Sequence, residues 1–153
     1  MHSITSLATK LAADFSAYRF APGSEFRWSP DERAIFYDAA SNDAASLLHE
    51  LSHAVLGHAQ FTRDVALLEL ERAAWQHATN TLAPAYGVAI AEDQVEAALD
   101  TYRDWLHARS TCPSCGATGL QTKKSEYKCL ACLGKWRVND ARVCGLRRYK
   151  LPN

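Results

Sequence analysis

Residues 46–61 read SLLHELSHAVLGHAQF, with a glutamate directly after the first of two histidines four positions apart. On a helix of 3.6 residues per turn, positions four apart lie nearly one above the other, so His49 and His53 can aim their imidazoles at one ion. Glu50 sits beside them, near enough to reach a metal-activated water without displacing it. That is the mechanical content of H-E-x-x-H: two ligands and a general base on one short helical stretch. A catalytic zinc needs a third protein ligand and an open position, so the reading turns on what else the chain offers.

His58 lies five residues after His53, which rotates a helix by about 500° and leaves it about 140° off the His49/His53 face. It can be the third ligand only where the helix breaks at Gly57; otherwise it is a polar helix-end residue or a hydrogen-bond partner to a ligand. Glu69 and Glu71 stand on the next predicted helix, which a short turn can fold back against the first. Ala74 and Ala78 follow Glu71 at three and seven positions, and small residues on the ligand's own face let two helices approach closely enough for one ion to bridge them.

At this point HELSHAVLGH (49–58) followed by ERAAWQHATNTLAP (71–84) resembles the ImmA/IrrE-type metallopeptidases of the gluzincin group. Their pattern is H-E-x-x-H and then a helix with E-x-x-A, a further Ala and a closing Pro. The resemblance covers roughly residues 25–85. It implies His49 and His53 as histidine ligands of a catalytic zinc, Glu50 as general base and Glu71 as glutamate ligand; on the residues alone, Glu69 and His58 stay open as alternative third ligands. Ala74, Ala78 and Pro84 match the helix pattern. The chain departs from it at Trp75, where an Asn or Asp usually stands and would give a hydrogen bond to a ligand.

All five cysteines lie in the last third, and four of them, Cys112, Cys115, Cys129 and Cys132, form C-x2-C-x13-C-x2-C. Each pair can make a knuckle that grips one ion with two thiolates, and the spacer is long enough for a hairpin that joins the pairs. Four thiolates close the coordination sphere, so this second zinc is expected to be structural, in a segment that resembles a zinc ribbon. The second knuckle has Leu133 where C-x-x-C-G would place Gly, and Cys144, outside the pattern, is expected to be a buried free thiol.

The net charge of zero hides a division: residues 1–109 hold 8 Lys/Arg against 15 Asp/Glu, and residues 110–153 hold 9 against 2. A metallopeptidase domain over 1–109 and a basic zinc-ribbon module over 110–153 are expected. Lys123, Lys124, Lys128, Trp136 and Arg137, with Tyr127 and Tyr149, are available for DNA or RNA contact, the cations to phosphates and the rings to bases; docking on the acidic body or on a protein partner is the alternative. No leader or run of roughly 20 apolar residues is present, so a cytoplasmic protein without a membrane span is expected.

Elsewhere the spacing of Ile4, Leu7, Leu11, Phe15 and Tyr18 predicts a helix closed by Pro22 and Gly23. Phe26 to Trp28 and Ala34 to Tyr37 flank SPDE as a hairpin, the second run being a candidate for strand addition by an extended substrate. Helices are predicted from a cap at Ser41, Asn42 or Asp43 to about Gln60, from Thr62 or Asp64 to near Pro84 and Gly87, and from about Glu92 to Arg109. The fold class is therefore α+β: a zincin-like, mostly helical domain with a small hairpin sheet, and a zinc ribbon.

The expected activity is peptide-bond hydrolysis on a protein substrate such as a DNA-bound regulator, with Tyr86, His77 or Tyr102 available to stabilise an oxyanion. The join of H-E-x-x-H to a C-terminal zinc-binding segment also resembles SprT-like proteases of DNA-bound proteins. That resemblance would favour His58 or His77 as third ligand. The alternative of another class is a nucleic-acid-binding or regulatory zinc protein with no catalysis.

Overall fold

The computed structural model describes residues 3–142 and 144–153. They form two compact units, one of the residues up to Gln60 with Leu70–Val95, the other of Phe61–Glu69 with Glu96–Asn153. This division differs from a boundary at 109/110. The reason is a buried polar cluster that ties the ends of two helices to the cysteine-bearing segment.

In the first unit, helix α1 (Ile4–Asp14) starts at Ser3, whose Oγ accepts from the Ser6 amide at 3.2 Å. Its buried stripe is Ile4, Leu7, Ala8 and Leu11. The helix stops earlier than the apolar spacing predicts: Arg19–Gly23 are strand β1, paired in parallel with β3 (Ala34–Asp38). Pro22 and the restriction it places on its predecessor favour extended backbone over a last helical turn. Phe15 and Tyr18 still pack on the core.

β2 (Arg27–Ser29) and β3 form the expected antiparallel hairpin, and the sheet order is β1-β3-β2. β3 is thus the central strand, paired on both sides, and cannot accept a substrate strand. Its Ala34, Ile35 and Tyr37 are buried.

Helix α2 (Ala44–Val55) begins at Asp43, whose carboxylate accepts from the Ser46 amide at 3.0 Å. It presents Leu47, Leu48 and Leu51 to the core and ends before Gln60, the chain turning at Gly57 with φ +71°. Helix α3 (Asp64–His77) leads into a π-helical turn (Ala78–Leu82) and α4 (Ala83–Tyr86), which stops at Gly87 with φ +65°. Pro84 therefore lies within the helical path. It donates no N–H, and it follows directly on the π-helical turn, as the second residue of α4. Helix α5 spans Glu92–Ser110, as its apolar spacing predicts. Among the described residues no helix is long and apolar enough to cross a membrane.

The second unit carries an antiparallel sheet of β4 (Leu120–Lys123), β5 (Glu126–Lys128), β6 (Lys135–Val138) and β7 (Arg148–Leu151), in that order. Cys112, Tyr127, Cys129, Trp136 and Val138 make its core. Trp136 is fully buried, its indole donates to the Arg109 carbonyl at 2.9 Å, and Gly119 leaves room for it because a Cβ there would overlap the ring. Alternation along β6 decides this: Trp136 and Val138 point inward while Lys135 and Arg137 are exposed. Trp136 and Tyr127 are consequently unavailable for stacking on bases, and the nucleic-acid contact expected of Trp136 is withdrawn. Cys144 is exposed rather than buried, because it lies in the loop between β6 and β7.

Asp64, Arg109 and Tyr127 form the buried polar cluster. Arg109 Nε donates to Asp64 Oδ2 at 2.8 Å, the Tyr127 hydroxyl donates to the same oxygen, and Arg109 Nη1 donates to the Asn139 carbonyl at 2.6 Å. Gln121 Oε1 accepts from the Asp64 amide at 2.7 Å. Burial and the Asp64 carboxylate push the Tyr127 phenol well above its usual range, so it remains a donor. A buried charge with this many partners fixes position more than it adds stability.

Candidate metal centres

α2 carries His49 and His53 one turn apart on a buried face. Glu71 of α3 meets them: its Oε2 lies 2.9 Å from His49 Nε2 and its Oε1 lies 3.2 Å from His53 Nε2. The two Nε2 atoms are 3.1 Å apart. Donors on a tetrahedral zinc with bonds of about 2.0–2.1 Å stand about 3.3–3.4 Å from one another, so these three groups already outline one face of such a site. Two imidazole nitrogens this close repel unless a cation or shared proton lies between them, and that also fits an ion. Ala74 and Ala78 are fully buried, as close approach of Glu71's helix face requires.

Glu69 is exposed and stands about 200° around the helix from Glu71, so it does not join the group. His58 is brought close, but to the outer side of a ligand: its Nδ1 lies 2.9 Å from His53 Nδ1. Burial and the adjacent His53 imidazole lower its pKa. His77 is also outside the group, 3.1 Å from Ser52 Oγ through Nδ1. The Tyr86 hydroxyl donates to Asp14 at 2.7 Å, and Tyr102 belongs to the second unit.

Glu50 does not point into the ligand cluster with both oxygens. Its Oε2 accepts from the main-chain N–H of Trp28 at 2.8 Å, and its Oε1 lies 4.0 Å from His49 Nε2. Trp28 is in edge strand β2, and this amide is not spent on β3. One oxygen of Glu50 is anchored, and the other is left beside the group of His49, His53 and Glu71. Nothing in the sequence pointed to Trp28, because a main-chain donor has no residue signature.

Trp75 stands beside His49 and offers its Nδ1 no acceptor. The Trp75 ring stacks on His49 with centroids 4.2 Å apart and planes 19° from parallel, and the buried His49 Nδ1 has no hydrogen-bond partner. One imidazole is thus oriented by stacking and the other by a hydrogen bond.

Burial works against ionisation of Glu71, but the hydrogen bonds and charges of His49 and His53 outweigh it and hold its carboxyl at about 2 instead of 4.5. A depressed carboxyl pKa adds stability that is full above the unfolded value and is lost as pH falls through the folded one. The wild type is expected to exceed Glu71→Gln by about 3 kcal/mol above pH 4.5, the difference vanishing toward pH 2. Denaturant unfolding of both proteins in chelator, from pH 7 to pH 2, checks it.

In the second unit Cys112, Cys115, Cys129 and Cys132 converge, with Cys112 Sγ 3.7 Å from Cys132 Sγ and Cys115 Sγ 3.5 Å from Cys129 Sγ. Thiolates on a tetrahedral zinc at about 2.3 Å stand about 3.8 Å apart, so the fit is close. Both knuckles point main-chain amides at sulfur: Ser114 N at Cys112 and Cys132 N at Cys129. Burial opposes ionisation of Cys112, but the amides of Cys115 and Ser114 and the nearby thiols bring it down to about 6. Leu133 takes φ +65° where Gly116 of the first knuckle takes φ +78°, so the non-Gly residue is held in the left-handed turn at a cost of about 1–2 kcal/mol.

No family model matches the chain, and no curated protein or solved structure matches it. Among the described residues, two groups of side chains can hold metal ions.

Proposed function

We propose that the chain is a metal-dependent peptidase with a second, structural metal. The observation that carries this reading is the convergence of His49, His53 and Glu71 with one free oxygen of Glu50 beside them. A divalent ion, zinc by the nitrogen and oxygen donor set, would supply Lewis acidity toward a water and a peptide carbonyl. His49, His53 and Glu71 would hold it. Glu50 accepts the proton of the attacking water through Oε1 and returns it to the leaving amine, while Trp28 keeps the carboxylate from turning away. Peptide or protein is the substrate class, a DNA-bound regulator among them. The zincin-like character of the first unit and the zinc-ribbon character of the second belong to the same proposal. The histidine ligand of an SprT-like site has less support, since Glu71 converges with His49 and His53 whereas His58 and His77 stand outside that group.

Elemental mass spectrometry of the purified protein tests the metal centre. About two zinc ions per chain are expected, falling to about one in His53→Ala. One ion in both proteins removes the reading.

A second reading, contact with nucleic acid, is favoured by the outer face of the four-stranded sheet. Lys128 pairs in register with Lys135, and Arg137 with Tyr149, which is exposed beneath the guanidinium at 5.2 Å. Among the described residues none of these three cations has a carboxylate partner, whereas Lys123 is paired with Glu126 at 2.9 Å. Three phosphate contacts give single-strand binding a slope of about −2 in log affinity against log salt. Anisotropy of a labelled 20-mer of thymidine checks this, and Lys135→Glu with Arg137→Glu is expected to abolish it. A slope near zero argues against the face as a phosphate reader.

A further inference from the structure

We propose that His58 is a positioning residue for His53, held in place by Trp28. The inference rests on the reading of His49, His53 and Glu71 as a metal centre.

A ligand ring that presents Nε2 to an ion keeps its proton on Nδ1 and is oriented by whatever accepts it. For His53 that acceptor is His58 Nδ1, at 2.9 Å. His58 must then carry its own proton on Nε2. A histidine here stands where a carboxylate or carbonyl commonly does.

His58 lies beyond the end of α2, past the turn at Gly57, where a side chain would ordinarily be free to swing. Three contacts prevent it. Its amide donates to the His53 carbonyl at 2.9 Å, its ring meets His53, and its carbonyl accepts from the Trp28 indole at 2.9 Å. Trp28 is itself fixed by Tyr18, whose ring meets it edge-on at 5.5 Å and whose hydroxyl donates to the Ala54 carbonyl at 3.2 Å. One edge-strand residue therefore holds the general base by its main chain and the outer histidine by its side chain. His49 has no such partner, so the device acts on one ligand alone.

The test compares substitutions that keep or remove the acceptor. Asn places Oδ1 close to where His places Nδ1, whereas Leu keeps bulk and offers no acceptor. Zinc affinity of the helical site is measured in the full chain by chelator competition, with the four-cysteine site as internal control. His58→Leu is expected to bind 10–100-fold more weakly. His58→Asn should return to within about threefold of wild type, and Trp28→Phe, which removes the indole donor, should weaken binding without altering the cysteine site. Equal affinity of His58→Leu and wild type overturns the proposal, as does an Asn variant no better than Leu in protein whose unfolding midpoint matches wild type. Wild type that holds only the cysteine-bound ion overturns the metal-centre reading itself and the proposal with it.

Discussion

Glu50→Gln is expected to lower peptide hydrolysis on the order of a thousandfold while leaving two metal ions per chain. Gln keeps the length of the side chain and an oxygen that can still accept from the Trp28 amide, so the anchor at 2.8 Å survives. What it loses is the capacity to take a proton. None of the three metal-holding groups changes, since Glu50 lies outside the cluster of His49, His53 and Glu71. Initial rates on fluorescein-labelled casein, read beside metal content, separate the two classes of function. A large loss with metal retained supports general-base catalysis. Wild type and variant equally inactive, with metal in both, would favour a binding or regulatory protein in which the helical site is scaffold.

The largest structural effect is expected from Cys129→Ser, which should remove one ion and unfold the sheet of the second unit. Cys129 is fully buried, its amide donates to the Gly134 carbonyl at 2.8 Å, and its sulfur accepts from the Cys132 amide. Structural zinc in small modules contributes an apparent 10–16 kcal/mol at pH 7, roughly as much as the whole stability of an ordinary domain. Hydrogen exchange gives the readout: amides of β5 and β6 should lose protection, and those around Leu47 to Leu51 of α2 should keep theirs. Retained protection in β5 and β6 would show that the sheet does not depend on the thiols. Because His53→Ala and Cys129→Ser each remove a different ion, the pair assigns both.

The parts of this molecule legible in the sequence are those set by short spacings. A spacing of four from His49 to His53 puts both imidazoles on one face whatever surrounds them. Two residues between paired cysteines make a knuckle, and alternation about SPDE makes a hairpin. Glu71 was legible by resemblance and by its small neighbours Ala74 and Ala78, and the structure brings it to the histidines while leaving Glu69 exposed. What failed depended on pairing at a distance. Residues 19–23 form a strand because β3 is there to receive them, and that β3 is central follows from the same pairing. The burial of Trp136 is set by the pleat of β6 and the space at Gly119. The Asp64–Arg109 pair, 45 positions apart, and the Trp28 amide at Glu50 leave no periodic trace at all.

The π-helical turn at Ala78–Leu82 amounts to one residue inserted into an otherwise continuous α-helix. A single-residue deletion there would let α3 run straight into α4, rotating everything beyond it by about 100°. Tyr86 would leave Asp14, and the 740 Å³ cleft that it lines with Leu7 and Lys10 would lose that wall. Glu71, seven residues upstream of the turn, would not move. A change of length in this short segment would therefore remodel one surface of the first unit and leave His49, His53 and Glu71 together.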